Sequence, residues 1–166
     1  MWVFQNNPPA QAKIAYEMLR AAGVPCLISQ YRYSMFDRTV EEKSLPLAAE
    51  QGSGFIAFSP LAQGLLTKKY LHGIPEHSRA ARSTGFLKVD QVTEDKVGKA
   101  RRLDEIAARR GQTLAEMALA WVLKDERMTS VIVGTSSVKQ LADNLHALDN
   151  LNFTNEELAE IEGILR

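Results

Sequence analysis

The sequence predicts an α/β fold built on parallel strands, and three observations predict it. Three short runs, VPCLISQ, GFIAFS and TSVIVG, are apolar on consecutive residues, which suits a sheet buried on both faces better than a half-exposed antiparallel one. Helical patterns alternate with them in the order helix, strand, helix, strand, long loop, two helices, strand, helix, helix. The legible pattern also opens on a helix. Three parallel strands make either a small open sheet or a slice of an eight-stranded barrel. The helical opening favours the slice and places the first strand of the pattern upstream of Met1.

The opening NNPPAQAKIAYEMLRAAG reads as a helix capped by Asn7, with Pro8 and Pro9 in its first turn and Gly23 at its exit. Ile14 and Met18, with Ala21 or Ala22, share one side at helical spacing and are expected to face the core. After the first strand a second helix is expected from about Thr39 to Gln51, kinked or broken at Pro46, and GFIAFS follows it. From Pro60 to about Val92 no period is visible, and a loop of that length in a compact domain usually covers a ligand. Thr93 to Arg110 forms the next helix, closed by Gly111, and Thr113 with Glu116 is a capping box for TLAEMALAWVLKD. Its Leu114, Met117, Ala118, Trp121 and Val122 form a stripe expected in the core. Ser137 caps the helix after TSVIVG, and Thr154 with Glu157 opens the last helix.

Composition narrows the function classes. Of the 166 residues, 45% are apolar and 24% charged, as in a folded globular domain. Twenty basic residues balance twenty acidic ones, so no net field draws the chain to nucleic acid or an anionic membrane, and any anion site is local. No apolar run approaches the ~20 residues that cross a bilayer, and the start lacks a basic leader pattern, so a cytoplasmic location is expected. Cys26, the only cysteine, sits in an apolar run and reads as an inert buried thiol. No metal site is expected.

Two segments could carry chemistry. In TSVIVGTSSVKQLADNL a strand delivers Gly134 to a turn, and Ser136 and Ser137 lead into a helix whose unpaired N–H groups favour an anion. Lys139 adds charge, and Gln140, Asp143 and Asn144 share a helix face that can line the edge of a base. The same residues would serve equally well to cap and solvate a helix. In FSPLAQGLLTKKY, Phe58 ends a strand at the edge where parallel α/β folds hold ligands. Ser59, Gly64, Lys69 and, further along, Arg79 could serve a diphosphate, or form a solvated basic loop. Gln30 is read as ending the first strand as Phe58 ends the second.

Together these pieces resemble the aldo-keto reductase family. ISQYRYSMFDR, GFIAFSPLAQGLLTKKY, GIPEHSRA, GQTLAEMALAWVLKDERMTSVIVGTSSVKQLADNL and LNFTNEELAEIE occur in family order, and GTSSVKQLADN is the most specific of them. The branch resembled holds bacterial glyceraldehyde-3-phosphate reductases of the aldo-keto type and β subunits of voltage-gated potassium channels. The resemblance implies the C-terminal portion of a (β/α)8 barrel, about three strands with their helices, so that residues 1–166 are a partial domain without the N-terminal part of the barrel. It also implies NADP(H) as cofactor. Gln30 would meet the nicotinamide carboxamide and Phe58 the ring, while Ser59, Pro60, Leu61 and Gln63 would follow the ribose and pyrophosphate. Lys69 and Arg79 would close over the phosphates. Gly134, Ser136 and Gln140 would take the adenosine ribose and its 2′-phosphate, and Asp143 and Asn144 the adenine. Asp143 departs from the more usual Glu, which shortens its reach.

The family's reaction is reduction of an aldehyde or ketone, in which a tyrosine donates the proton and a lysine, aspartate and histidine tune it. None of the tyrosines at 16, 31, 33 and 70 or the histidines at 72, 77 and 146 stands in the matching motifs, so no catalytic residue is assigned. Tyr31 and Tyr33 read as rim or packing residues, and His77 as a loop residue near the cofactor. The expected substrate is a small carbonyl compound acted on by the complete enzyme. Open barrel edges predict self-association. The alternatives are a non-catalytic NADP(H)-binding or interaction module and a regulatory subunit of the channel type.

Overall fold

The computed structural model describes residues 3–76, 78, 80–81 and 87–166. The chain divides into two compact units, one formed by the residues up to Pro60 with Val122–Val133, the other by Leu61–Trp121 with Gly134–Arg166.

The first unit holds the sheet. Four strands lie in the order β1 (Val3–Gln5), β2 (Ile28–Arg32), β3 (Gly54–Phe58) and β4 (Met128–Ile132), every neighbouring pair parallel. This is the predicted α/β architecture, a partial (β/α)8 barrel, with one correction: the described residues form four strands rather than three. The extra strand is VFQ, which lies inside the chain rather than upstream of Met1. Its three residues are too few to show a period, and they alternate exposed, buried, exposed instead of forming an apolar run.

The helix α1 (Pro9–Ala21) covers one face of the sheet through residues other than those expected. Ala12 and Tyr16 are buried and Ala15 and Leu19 partly so, whereas Ile14 and Met18 are 58% and 68% exposed. Residues two apart point roughly 200° from each other around a helix, so only one of these stripes can meet the sheet. Tyr16 decides which. Its ring meets Phe4 edge-on with centroids 4.8 Å apart, and its hydroxyl shares a short hydrogen bond with Ser29 inside the core. Cys26 is buried in the same cluster as a free thiol. Asn7 does not cap α1; Pro8 holds that position without a side-chain bond, and the Asn7 carbonyl accepts from the Tyr31 hydroxyl at 2.9 Å.

The helix α2 is Ser44–Glu50, shorter than expected, because Thr39–Lys43 form turns. Pro46 sits in its first turn, where no intrahelical donor is lost, and does not break it. Gly23 and Gly52 leave their helices at φ 70° and 68°, the left-handed exit that glycine accepts without a Cβ clash.

In the second unit α3 (Glu94–Arg109) is capped by Thr93, whose hydroxyl accepts from the Lys96 N–H. Arg109 pairs with Glu160 of α6 (Asn155–Leu165), and Arg110 pairs with Glu157 while its guanidinium lies 3.8 Å from the centre of the Phe153 ring. Arg110 also donates to the Asn152 carbonyl, which fixes the entry to α6. Both predicted capping boxes form: Thr113 with Glu116 and Thr154 with Glu157 each exchange two bonds. The expected stripe of α4 (Leu114–Leu123) is buried, and Leu119 and Ala120 on its other sides are buried as well. No helix among the described residues is long and apolar enough to cross a membrane.

Candidate functional site

Alternation along the strands sorts the sheet into two faces. Ser29, Tyr31, Phe55 and Ala57 are buried, and Tyr31 stacks on Phe55 with centroids 5.1 Å apart. The intervening residues lie on the other, half-exposed face in rows set by the register. One row holds Val3, Ile28 and Gly54, the next Gln5, Gln30, Ile56 and Ser130, and the last Arg32, Phe58 and Ile132.

Gln30 is therefore central in its strand rather than terminal. Burial of Tyr31 prolongs the strand to Arg32, and it is Arg32 that pairs with Phe58. Gln30 and Phe58 still share a face on neighbouring strands, one row apart, so an amide and an aromatic edge stand diagonally next to each other. Sequence reading missed a neighbour of this pair. Asn6 adopts φ 51°, donates its N–H to the Gln30 carbonyl at 3.0 Å and accepts the Arg32 N–H on its side-chain oxygen at 3.3 Å. The available signal was the residue type, because asparagine tolerates left-handed backbone.

Beyond Phe58 the backbone is strained. Ser59, Ala62 and Gln63 have φ of 54°, 48° and 61°, and Gly64 has 99°, so four of six consecutive residues are left-handed and three of them carry a Cβ. Such conformations cost on the order of 1–3 kcal/mol each and persist where the surroundings enforce them, commonly at ligand clamps. Pro60 and Ala62 are buried, Leu61 and Gln63 half-buried. Within the second unit, Gly64 rests against the Tyr70 ring, where an added Cβ would meet Cε2 at 3.4 Å. Thr67 fixes the next turn by donating to the Gly64 carbonyl and accepting the Lys69 N–H. Lys69 is exposed, and Lys68 beside it pairs with Asp104 at 3.7 Å. Arg79 and His77, also expected near this segment, lie outside the described residues.

The third group stands at the start of α5 (Val138–Leu145). Ser137 caps the helix by accepting the Gln140 N–H. The Gln140 side-chain oxygen accepts both the N–H and the hydroxyl of Ser136, at 2.9 and 3.0 Å. Lys139 holds Asp143 through both carboxylate oxygens, at 2.9 and 3.0 Å. Gly134, Ser136 and Gln140 are exposed, and Asp143 and Asn144 half-exposed. The exposed N-terminus carries the positive end of the helix dipole, which favours an anion, while the Ser136 donors are turned onto Gln140.

A polar network in the first unit orders the chain after β2. The Tyr33 hydroxyl donates to Glu41 at 2.8 Å, and Arg38 grips the same carboxylate with two nitrogens. Burial, reinforced by the Glu41 carboxylate, pushes the Tyr33 hydroxyl far above the ordinary tyrosine range. Burial likewise lowers Lys124, while the bond from Arg127 holds Asp125 below the usual carboxylate range.

A sequence model of the aldo/keto reductase family matches residues 5–166. The L-glyceraldehyde 3-phosphate reductase of Escherichia coli O157:H7 is 46% identical over 158 residues, covering 93% of this chain and 46% of that protein. The protein of the same name from Escherichia coli strain K12 is 44% identical over the same span and shares of length. The chain spans about half the length of the curated relatives it matches.

Proposed function

From the premise that this chain belongs to the aldo/keto reductase family, we propose that it forms the cofactor-holding portion of an NADPH-dependent reductase of aldehydes or ketones. The observation that carries the proposal is the left-handed run at Ser59 and Ala62–Gly64 immediately after Phe58, a costly backbone that a phosphate-binding segment repays. In the first unit Gln30 meets the nicotinamide carboxamide, Phe58 the ring, and Ser59 and Pro60 the adjoining ribose. In the second, Leu61, Gln63 and Lys69 follow the pyrophosphate. Gly134, Ser136 and Gln140 hold the adenosine ribose and its phosphate, and Asp143 and Asn144 the adenine. Bound NADPH supplies the hydride.

The proton donor comes from outside these 166 residues. Support for this lies in the tyrosines, all of which are buried: the Tyr16 hydroxyl is bonded to Ser29, Tyr31 to the Asn7 carbonyl and Tyr33 to Glu41, and the Tyr70 hydroxyl is enclosed. A general acid must reach the substrate oxygen, and these side chains are buried with three of the four hydroxyls already bonded within the fold. The same observation favours a second reading, in which the chain by itself is an NADP(H)-binding module without chemistry. A cytoplasmic location belongs to the proposal and suits the free thiol of Cys26.

The test is a titration of the purified chain with NADPH, followed by tryptophan quenching, with NADH in parallel. Saturable binding, tighter for NADPH, is expected. Absence of saturation up to millimolar cofactor removes both readings, and carbonyl reduction by the lone chain removes the assignment of the acid to another segment.

A further inference from the structure

Among the described residues, the Tyr70 hydroxyl is the one buried side-chain polar group without a hydrogen-bond partner. Tyr70 is 1% exposed, so the chain itself encloses this hydroxyl. A buried donor left unbonded forfeits its hydration with nothing in exchange, and native folds retain few of them. Its surroundings in the second unit point to the missing partner. Cε2, the ring carbon next to the one bearing the hydroxyl, lies 3.4 Å from where a Cβ on Gly64 would stand. The hydroxyl end of the ring therefore abuts the left-handed run Ala62–Gly64. Residues on both sides of Tyr70 are held: Thr67 donates to the Gly64 carbonyl and accepts the Lys69 N–H, and Lys68 pairs with Asp104 of α3. Arg101, also of α3, donates through two nitrogens to the Leu71 carbonyl. The ring is thus fixed to α3, and the joint that can yield beside it is Gly64, at a φ of 99° that suits glycine alone.

We propose that Tyr70 is a further cofactor-binding residue, its hydroxyl held in reserve for a pyrophosphate oxygen of NADP(H). This rests on the function proposed above, in which Gln63 and Lys69 follow that pyrophosphate. Tyr70 is next to Lys69 in the chain and leans on Gly64, the residue next to Gln63, so its hydroxyl belongs to the same segment. A pyrophosphate offers acceptors and no donors, which is what a lone O–H lacks, and a hydroxyl bonded to a charged oxygen makes one of the stronger hydrogen bonds. Because the hydroxyl is enclosed in the free protein, the bond forms as the run shifts at Gly64. Residues already held in left-handed conformations offer little resistance to that shift, since leaving them relieves strain. The free protein carries an unbonded donor, and the bound protein does not.

Tyr70→Phe keeps the ring and removes only the hydroxyl, and two measurements on the full chain should then move in opposite senses. The free variant should melt at a higher temperature than the parent, because the unbonded buried group is gone. NADPH, followed by fluorescence titration, should bind it about tenfold more weakly, because a bond to a charged oxygen is lost. Tyr16→Phe is the control: that hydroxyl is already bonded to Ser29, so the variant should melt lower and bind NADPH as the parent does. A Tyr70→Phe variant that melts lower than the parent shows the hydroxyl bonded within the free fold and overturns the proposal. An equal loss of NADPH affinity in Tyr16→Phe traces the effect to general loosening and overturns it as well. Unchanged affinity in Tyr70→Phe removes Tyr70 from the site and leaves the cofactor reading standing. A parent chain that does not bind NADPH removes that reading and this proposal together.

Discussion

The side-chain oxygen of Gln140 accepts two hydrogen bonds from Ser136, one from its backbone N–H and one from its hydroxyl. One amide oxygen thus holds the residue before the Ser137 cap, and it holds the same two donors that the proposed phosphate requires. Preorganisation of the donors and competition with the ligand are two sides of this contact.

Gln140→Ala removes the shared acceptor at an exposed position. The loss of stability should be about 0.5–1 kcal/mol, typical of an exposed capping interaction. NADPH affinity should fall several-fold, because Ser136 loses its orientation. Thermal melting and a fluorescence titration measure the two effects separately, and an affinity unchanged within error would place Ser136 outside the phosphate contacts.

Lys139 and Asp143 form an exposed pair one helical turn apart. Its contribution to stability is about 0.3–0.5 kcal/mol, so neither substitution should change the melting temperature noticeably. Asp143→Asn keeps an amide for the adenine and releases the Lys139 charge. NADPH should then bind about two- to fivefold more tightly at low salt, an advantage that added salt screens away. Weaker binding by this variant would show that the carboxylate itself contacts the adenine.

Gly64 and Ala62 should respond in opposite senses. Gly64→Ala places a Cβ at φ 99° and against the Tyr70 ring, and should cost about 1–3 kcal/mol. Ala62→Gly relieves a left-handed alanine, worth about 1–2 kcal/mol, and returns about 0.4–1 kcal/mol through the greater freedom of the unfolded chain. Its net effect should therefore lie between neutral and slightly stabilising. Urea denaturation of both variants checks this, and equal destabilisation would contradict the strain assigned to residue 62.

Tyr33 gives the fold a measurable alkaline limit. Its folded pKa lies above the ordinary 10.0, so the stabilisation it confers is complete below pH 10 and is lost as pH rises beyond that value toward the folded pKa. Tyr33→Phe should lower stability near neutrality by about 0.5–1.5 kcal/mol through the lost bond to Glu41. The variant should also show a shallower fall in melting temperature above pH 10. Lys124, lowered by burial, works with the opposite sign as pH rises toward 10.5, so the comparison must be made between the variant and the parent at each pH.

Much of this was legible in the sequence because it rests on bonds between residues a few positions apart. The caps at Ser137 and Thr154, the box at Thr113 and Glu116, and the exits at Gly23 and Gly111 all depend on local donors and acceptors, and the structure forms each of them. The family was legible too, because its motifs occur in order along the chain. Elements governed by distant partners were not. The strand Val3–Gln5 exists because β2 offers it a ladder, and three residues carry no period of their own.

The sequence by itself determined the parallel α/β class, the helix ends and the residue types of the proposed phosphate-binding segment, since backbone hydrogen-bond rules and side-chain chemistry act within a turn or two. Tertiary structure decided which side of α1 is buried, where Gln30 falls in its strand and which hydroxyls are already engaged. Ile14 and Met18 are as apolar as any core residue, yet the sheet takes Ala12 and Tyr16, because Phe4 and Ser29 stand where only that face can reach them. Burial is a property of two surfaces meeting, and one strand of sequence carries only one of them.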